Sequence, residues 1–167
     1  MKKQFLLYFL LFNTFNFFAQ SYQFTKYGVR DGLPQEYIYS INQDDNGFMW
    51  FGTEDGLNRY DGYTFKVYRS NPTNPQGLCN SWITRLMEDE SGLIWIATKN
   101  GLSVFNPLNE QFFSFFANNS NPKSLTSSLV TALFQDSEST IFIGTNNGLN
   151  RLQQPSEDIA DWYFEQF

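Results

Sequence analysis

One seventeen-residue pattern recurs three times along this chain, and it restricts the fold more than any other feature. The segments Ile41–Leu57, Leu86–Leu102 and Leu133–Leu149 align without a gap, at offsets of 45 and 47 residues. Each copy has an aspartate (Asp44, Asp89, Asp136) and, six residues on, an aromatic side chain (Trp50, Trp95, Phe142). A small residue and a threonine follow (Gly52-Thr53, Ala97-Thr98, Gly144-Thr145), and each copy closes on Gly56-Leu57, Gly101-Leu102 or Gly148-Leu149. Gly32-Leu33, Gly77-Leu78 and Ser124-Leu125 echo one another upstream. Phe65…Tyr68, Phe113…Phe116 and Phe164…Phe167 do so downstream, and Phe24…Tyr27 precedes the first unit. A period of about 40–50 residues marks an array of supersecondary units, each needing its neighbours to bury its apolar surface.

Each unit reads as four short antiparallel strands, A to D. In the first, A covers about 37–43, B 48–53, C 57–61 and D 63–69. Asn46-Gly47, Asp55-Gly56 and Asp61-Gly62 supply the turns, because these pairs tolerate the positive φ of a tight hairpin. Strand B is apolar on both faces, with Phe48 and Trp50 alternating against Met49 and Phe51, which predicts a strand covered on both sides. Such units stack radially as propeller blades. The expected fold is all-β: a partial β-propeller of about three four-stranded antiparallel blades (about 33–69, 78–117 and 125–167), within an incomplete propeller region 21–167. A leading strand over 21–28 has the character of one that closes a ring by completing the last blade.

The D-x-x-G-x-x-W-x-G-T-x-x-G-L run, here Asp44, Gly47, Trp50, Gly52, Thr53, Gly56 and Leu57, resembles the two-component regulator propeller repeat. The second unit has Ala97 at the small position, and the third has Ser139 and Phe142 for the glycine and tryptophan. The resemblance spans roughly residues 22–167. It implies the N-terminal periplasmic sensor region of a hybrid two-component histidine kinase, whose parent is anchored in the inner membrane through C-terminal parts beyond this segment. It also implies that the remaining blades, or a second chain, close the ring.

Met1-Lys2-Lys3 precedes an apolar run from Phe5 to Phe12 and a small residue at Ala19, the pattern of a secretory signal peptide over residues 1–20. Cleavage after Ala19 or after Ser21 fits. Asn13 and Asn16 interrupt the run short of the roughly 18–20 residues a spanning helix needs. The chain is therefore expected to be exported to the periplasm.

Composition then removes whole classes of chemistry. The 167 residues include no histidine and one cysteine, so Ser-His-Asp triads, His-ligated zinc and an internal disulfide are excluded. Eleven Lys and Arg are scattered against 17 Asp and Glu, so no basic stripe marks a nucleic-acid surface. Asn42, Asp44 and Asn46 before Gly47 invite a calcium-loop reading, but Thr53 stands where the bidentate glutamate is required, so turn chemistry is expected. The equivalent aspartates lie on different blades and make no glycosidase pair. No catalytic residue, metal or cofactor is expected, and no enzyme activity.

Blade geometry points to one end of the molecule. B–C turns and the connections between blades share an end, with A–B and C–D turns opposite. The first end carries Glu54, Asp55, Lys99, Asn100, Asn146 and Asn147 on its turns, with Tyr37 and Trp82 at strand entrances. These positions vary while the frame repeats, as expected where loops carry specificity. An Asn-rich polar surface with aromatics suits an oligosaccharide, sensed without chemistry. A protein-interaction scaffold with no small ligand is the alternative.

Overall fold

A computed structural model describes residues 22–154 and 156–167; the expected signal peptide lies outside them. Among the described residues there are twelve strands, no α-helix, and two single-turn 3₁₀ segments at Val29–Asp31 and Ile159–Asp161. No helix among them is long and apolar enough to cross a membrane. The strands form three separate four-stranded sheets in which each strand pairs with its chain neighbour. Blade 1 holds β1 (Ile38–Gln43), β2 (Met49–Thr53), β3 (Gly56–Tyr60) and β4 (Phe65–Tyr68). Blade 2 holds β5 (Ile83–Glu88), β6 (Ile94–Thr98), β7 (Gly101–Asn106) and β8 (Gln111–Phe115). Blade 3 holds β9 (Val130–Gln135), β10 (Ile141–Thr145), β11 (Gly148–Gln153) and β12 (Tyr163–Gln166). All pairs are antiparallel. β1 packs against β5 and β5 against β9, so the A strands are innermost. This is the expected all-β architecture of propeller blades.

The core lies between blades. Trp50 and Leu57 of blade 1 meet Ile83, Ile94, Ile96 and Phe105 of blade 2. Trp95, Leu102 and Val104 of blade 2 meet Val130, Ile141 and Ile143 of blade 3. Every residue of β6 is buried, because the middle blade is covered on both faces. The repeat also shows what an uncovered face looks like: Leu57 and Leu102 are 0% exposed, whereas their equivalent Leu149 is 42% exposed. The small residue of the repeat has a steric cause, since a Cβ on Gly52 would lie 2.6 Å from Cγ2 of Ile83 in the next blade.

Three features differ from simple periodicity. First, each A strand bulges. Ile38 and Ser40 face the adjacent residues Thr53 and Gly52, so Tyr39 is an extra residue, as are Thr84 and Thr131 in the other blades. A bulge re-aims the side chain that it carries. Second, β8 pairs Leu102 with Phe115 and Phe105 with Phe112, so the counterparts of Phe65 and Tyr68 are Phe112 and Phe115 rather than Phe113 and Phe116. The run Phe112-Phe113-Ser114-Phe115-Phe116 satisfies the aromatic spacing twice, and the hairpin length selects between the two. Third, residues 22–28 carry no strand. Tyr27 instead rests on blade 1, its ring centroid 5.3 Å from that of Tyr60.

Candidate functional site

The turns at both ends are fastened by the repeated residues themselves. At the A–B turn, Asp44 Oδ1 accepts from the backbone N–H of Asn46 (3.0 Å) and Phe48 (2.9 Å), and Oδ2 accepts from Trp50 Nε1 at 2.7 Å. Asp89 does the same with Ser91, Leu93 and the indole of Trp95 at 2.6 Å. Asp136 keeps the two backbone bonds, to Glu138 and Thr140, and Phe142 offers no indole N–H. These carboxylates are committed to structure. At the B–C turn, Thr53 Oγ1 accepts from Asp55 N and donates to Gly56 O; Thr98 and Thr145 repeat both bonds. The glycine closing each turn has φ near +119, +109 or +125°, a region that a side chain rarely adopts.

On this fixed frame the B–C end of blades 1 and 2 gathers four side chains from two blades. Tyr39 donates its phenol to Glu54 Oε1. The ring of Tyr39 lies 6.3 Å from that of Trp82 at the entrance to blade 2. Lys99 Nζ stands 2.9 Å from the Trp82 ring centroid, and the backbone N–H of Lys99 donates to Trp82 O at 3.1 Å. A cation held over an indole is favoured by the ring quadrupole. The Glu54 carboxylate at its hydroxyl pushes the Tyr39 phenol above its ordinary value. Glu54, Tyr39, Trp82 and Lys99 therefore form one continuous polar and aromatic group across the blade junction.

The other expected residues divide. Tyr37 is 70% exposed two residues before Tyr39, at the same end. Asp55 is occupied: Arg69 donates to it from Nε (2.9 Å) and Nη2 (2.8 Å), and this guanidinium holds the Asp55 carboxyl below its usual range. Asn100 is exposed on the blade 2 turn. Asn146 and Asn147 belong to the third blade, where Asn146 N donates to Leu129 O and Asn147 Nδ2 to Thr126 O; no contact joins them to the Glu54–Lys99 group among the described residues. Tyr39 is the member that the sequence pattern does not mark, because a bulge takes it off the two-residue strand period. The tyrosine pair Tyr37…Tyr39 was the available signal.

Residues 32–55 and 77–100 match the family model described as two component regulator propeller. These two segments of the chain are similar to the two-component regulator propeller repeat. The matched stretches are the equivalent parts of units 1 and 2. A curated histidine kinase from Formosa agariphila is 48% identical over 52 residues, which cover 31% of this chain and 4% of that protein. Among solved structures, the extracellular domain of a hybrid two component system from B. thetaiotaomicron superposes with a TM-score of 0.76 at 30% identity, covering 86% of this chain and 20% of that one. Virginiamycin B lyase from Staphylococcus aureus shares the fold alone, with a TM-score of 0.55 and 14% identity over 81% of this chain and 43% of its own. The chain thus spans only a small part of the histidine kinase and of the hybrid two component system domain.

Proposed function

We propose that this regulator propeller segment is a non-enzymatic, extracytoplasmic ligand-receiving part of a two-component sensor, and that its ligand is an oligosaccharide taken at the B–C end of blades 1 and 2. The observation that carries the reading is the Glu54–Tyr39–Trp82–Lys99 group. It is built on a repeated frame from residues that the frame does not repeat: the second junction has Thr84, Leu129 and Asn146 at the corresponding places. Glu54 would accept sugar hydroxyls, Lys99 would donate, and Tyr37 and Tyr39 would offer aromatic faces. Trp82 would act chiefly by holding Lys99. A ligand touching both blades would favour one relative blade arrangement over another and so bias a distant output domain, provided it bound the two arrangements unequally. Export through residues 1–20, anchoring of a longer parent in the inner membrane, and closure of the ring by further blades or a second chain belong to the same proposal. A scaffold that binds only proteins is the second reading, favoured by the exposed apolar side chains Phe134 and Leu149 on blade 3.

The test is calorimetric titration of the full-length protein with a panel of defined oligosaccharides, wild type against the combined Glu54→Gln, Trp82→Ala, Lys99→Met variant. The variant should lose at least about tenfold in affinity for the sugar that wild type binds, since groups that hydrogen-bond a ligand are worth roughly 1–3 kcal/mol each when removed. Undiminished binding would place the ligand elsewhere. Binding of no sugar, with capture of a protein partner, would favour the scaffold.

A further inference from the structure

The outer rim between blades 2 and 3 holds a cleft of about 470 Å³ whose lining differs from the Glu54–Lys99 group. Its floor is aromatic: Phe116, Trp162 and Tyr163 line it. Trp162 is held in place by stacking on the buried Trp95, with ring centroids 5.8 Å apart and planes at 6°. Its rim is the connection from β8 to β9. Asn118 and Asn121 each use Oδ1 to accept a backbone N–H at 3.0 Å, from Ser120 and Lys123 respectively. Among the described residues the Nδ2 donors of these two asparagines have no partner. Phe164 N donates to Lys123 O at 2.9 Å, which clamps the connection to β12. Lys123 Nζ sits 4.4 Å from the Tyr163 ring centroid, and no carboxylate pairs with it among the described residues.

The junction between blades 1 and 2 serves as an internal control. There the connection has the same turns, with Asn71 and Asn74 accepting from Thr73 and Gln76. Strand register sets Glu110 and Gln111 where blade 3 has Trp162 and Tyr163, and Gln76 stands for Lys123. The corresponding cleft, of about 400 Å³, is lined by Gln76, Glu110, Gln111, Phe112 and Phe113, and Lys66 neutralises Glu110 at 2.7 Å. Turn formation therefore requires the asparagines but not the Trp162–Tyr163 pair or the unpaired cation. Those are specific to the second junction.

We propose that the blade 2–3 outer cleft is a separate binding site for an acidic saccharide, one bearing a carboxylate or a sulfate. The apolar face of its pyranose ring would lie on the Tyr163 and Trp162 side. Its anionic group would take Lys123 Nζ and the Nδ2 donors of Asn118 and Asn121. Asp161 lines the same cleft, with Oδ2 accepting from Ser156 Oγ at 2.8 Å, which leaves Oδ1 to accept a sugar hydroxyl. The net charge of −6 opposes an anion at range, but at physiological salt it is screened beyond about 8 Å, so the local donors decide. This site shares no residue with the Glu54–Lys99 group and does not depend on it.

The experiment titrates the full-length protein with three probes: trigalacturonate, a sulfated chondroitin disaccharide and neutral galactotriose. Asn118→Asp with Asn121→Asp preserves both Oδ1 turn acceptors and deletes the Nδ2 donors, and Lys123→Gln removes the charge. At least one acidic probe should bind, at least tenfold more tightly than galactotriose. Which acidic probe binds tells carboxylate from sulfate recognition. Its affinity should fall at least tenfold in the double variant and in Lys123→Gln, with unchanged thermal unfolding, and should be unaffected by Trp82→Ala. The site is refuted if neither acidic probe binds, if the neutral sugar binds equally well, or if the outer-rim variants retain full affinity. Loss on Trp82→Ala alone would assign acidic-sugar binding to the Glu54–Lys99 group instead.

Discussion

Glu88 shows how the side chain closing one strand can hold two blades together. It ends β5, and its carboxylate accepts the backbone N–H of Asp45 in the preceding blade, at 3.2 Å to Oε1 and 3.1 Å to Oε2. One junction along, Gln135 ends β9 and accepts the N–H of Glu90 at 3.1 Å. The latch is the same and only the charge differs. Burial pushes the Glu88 carboxyl above its ordinary value, and the Asp45, Asp44 and Asp89 carboxylates push it the same way, against the opposing pull of the Asp45 N–H. Folded Glu88 therefore holds its proton more tightly than the unfolded chain does. Its cost to stability is absent below the ordinary carboxylate value and develops as pH rises through the folded one. Glu88→Gln should keep the latch and remove that cost. Denaturant unfolding should show a higher midpoint than wild type at neutral pH, with the gap closing as pH falls toward the ordinary carboxylate value. A less stable variant at neutral pH would mean that the latch needs the charge.

Between elements, the junctions are matched in volume. Gly52 on β2 faces Ile83 on β5, while the second junction has Ala97 and Val130 at the same places: one carbon more on one side, one fewer on the other. Gly52→Ala alone should destabilise by about 1–3 kcal/mol through overpacking. Combined with Ile83→Val, it should be better tolerated than the sum of the two single changes by about 1 kcal/mol. Strict additivity in chemical denaturation would show that the two positions do not share one space. The matching also explains what could be read from the sequence. Turns, strand order and the small position are local or repeated, so the three-blade frame was legible from Asp-x-x-Gly, Trp and Gly-Thr spacing. The β8 register was not, because Phe112 to Phe116 fits two registers. Nor was the Tyr39 contact, because a bulge moves it off the strand period. Lys99 and Trp82 were each legible as candidates, but their stacking depends on blade geometry. The outer cleft needs a strand end, a connection and a neighbouring blade at once, and no local pattern encodes that.

Across the described residues, the three blades form a sector whose apolar core lies where one blade meets another. Blade 2 is buried on both faces, while Ile41 on blade 1 and Phe134 and Leu149 on blade 3 are exposed at 58%, 61% and 42%. What distinguishes one junction from the next is the set of side chains that cross it, since the features within blades are fixed by the repeat. The Glu54–Tyr39–Trp82–Lys99 group crosses the first junction, and the Lys123–Trp162 cleft crosses the second. The proposed ligand would be received across blades 1 and 2 at the B–C end. The decisive measurement is amide hydrogen exchange of the full-length protein, with and without the oligosaccharide that it binds. Saturating ligand should slow exchange in peptides covering residues 52–56 of blade 1 and both 81–84 and 97–101 of blade 2. Unchanged exchange in those three segments under saturating ligand would mean that no ligand bridges blades 1 and 2 at this end.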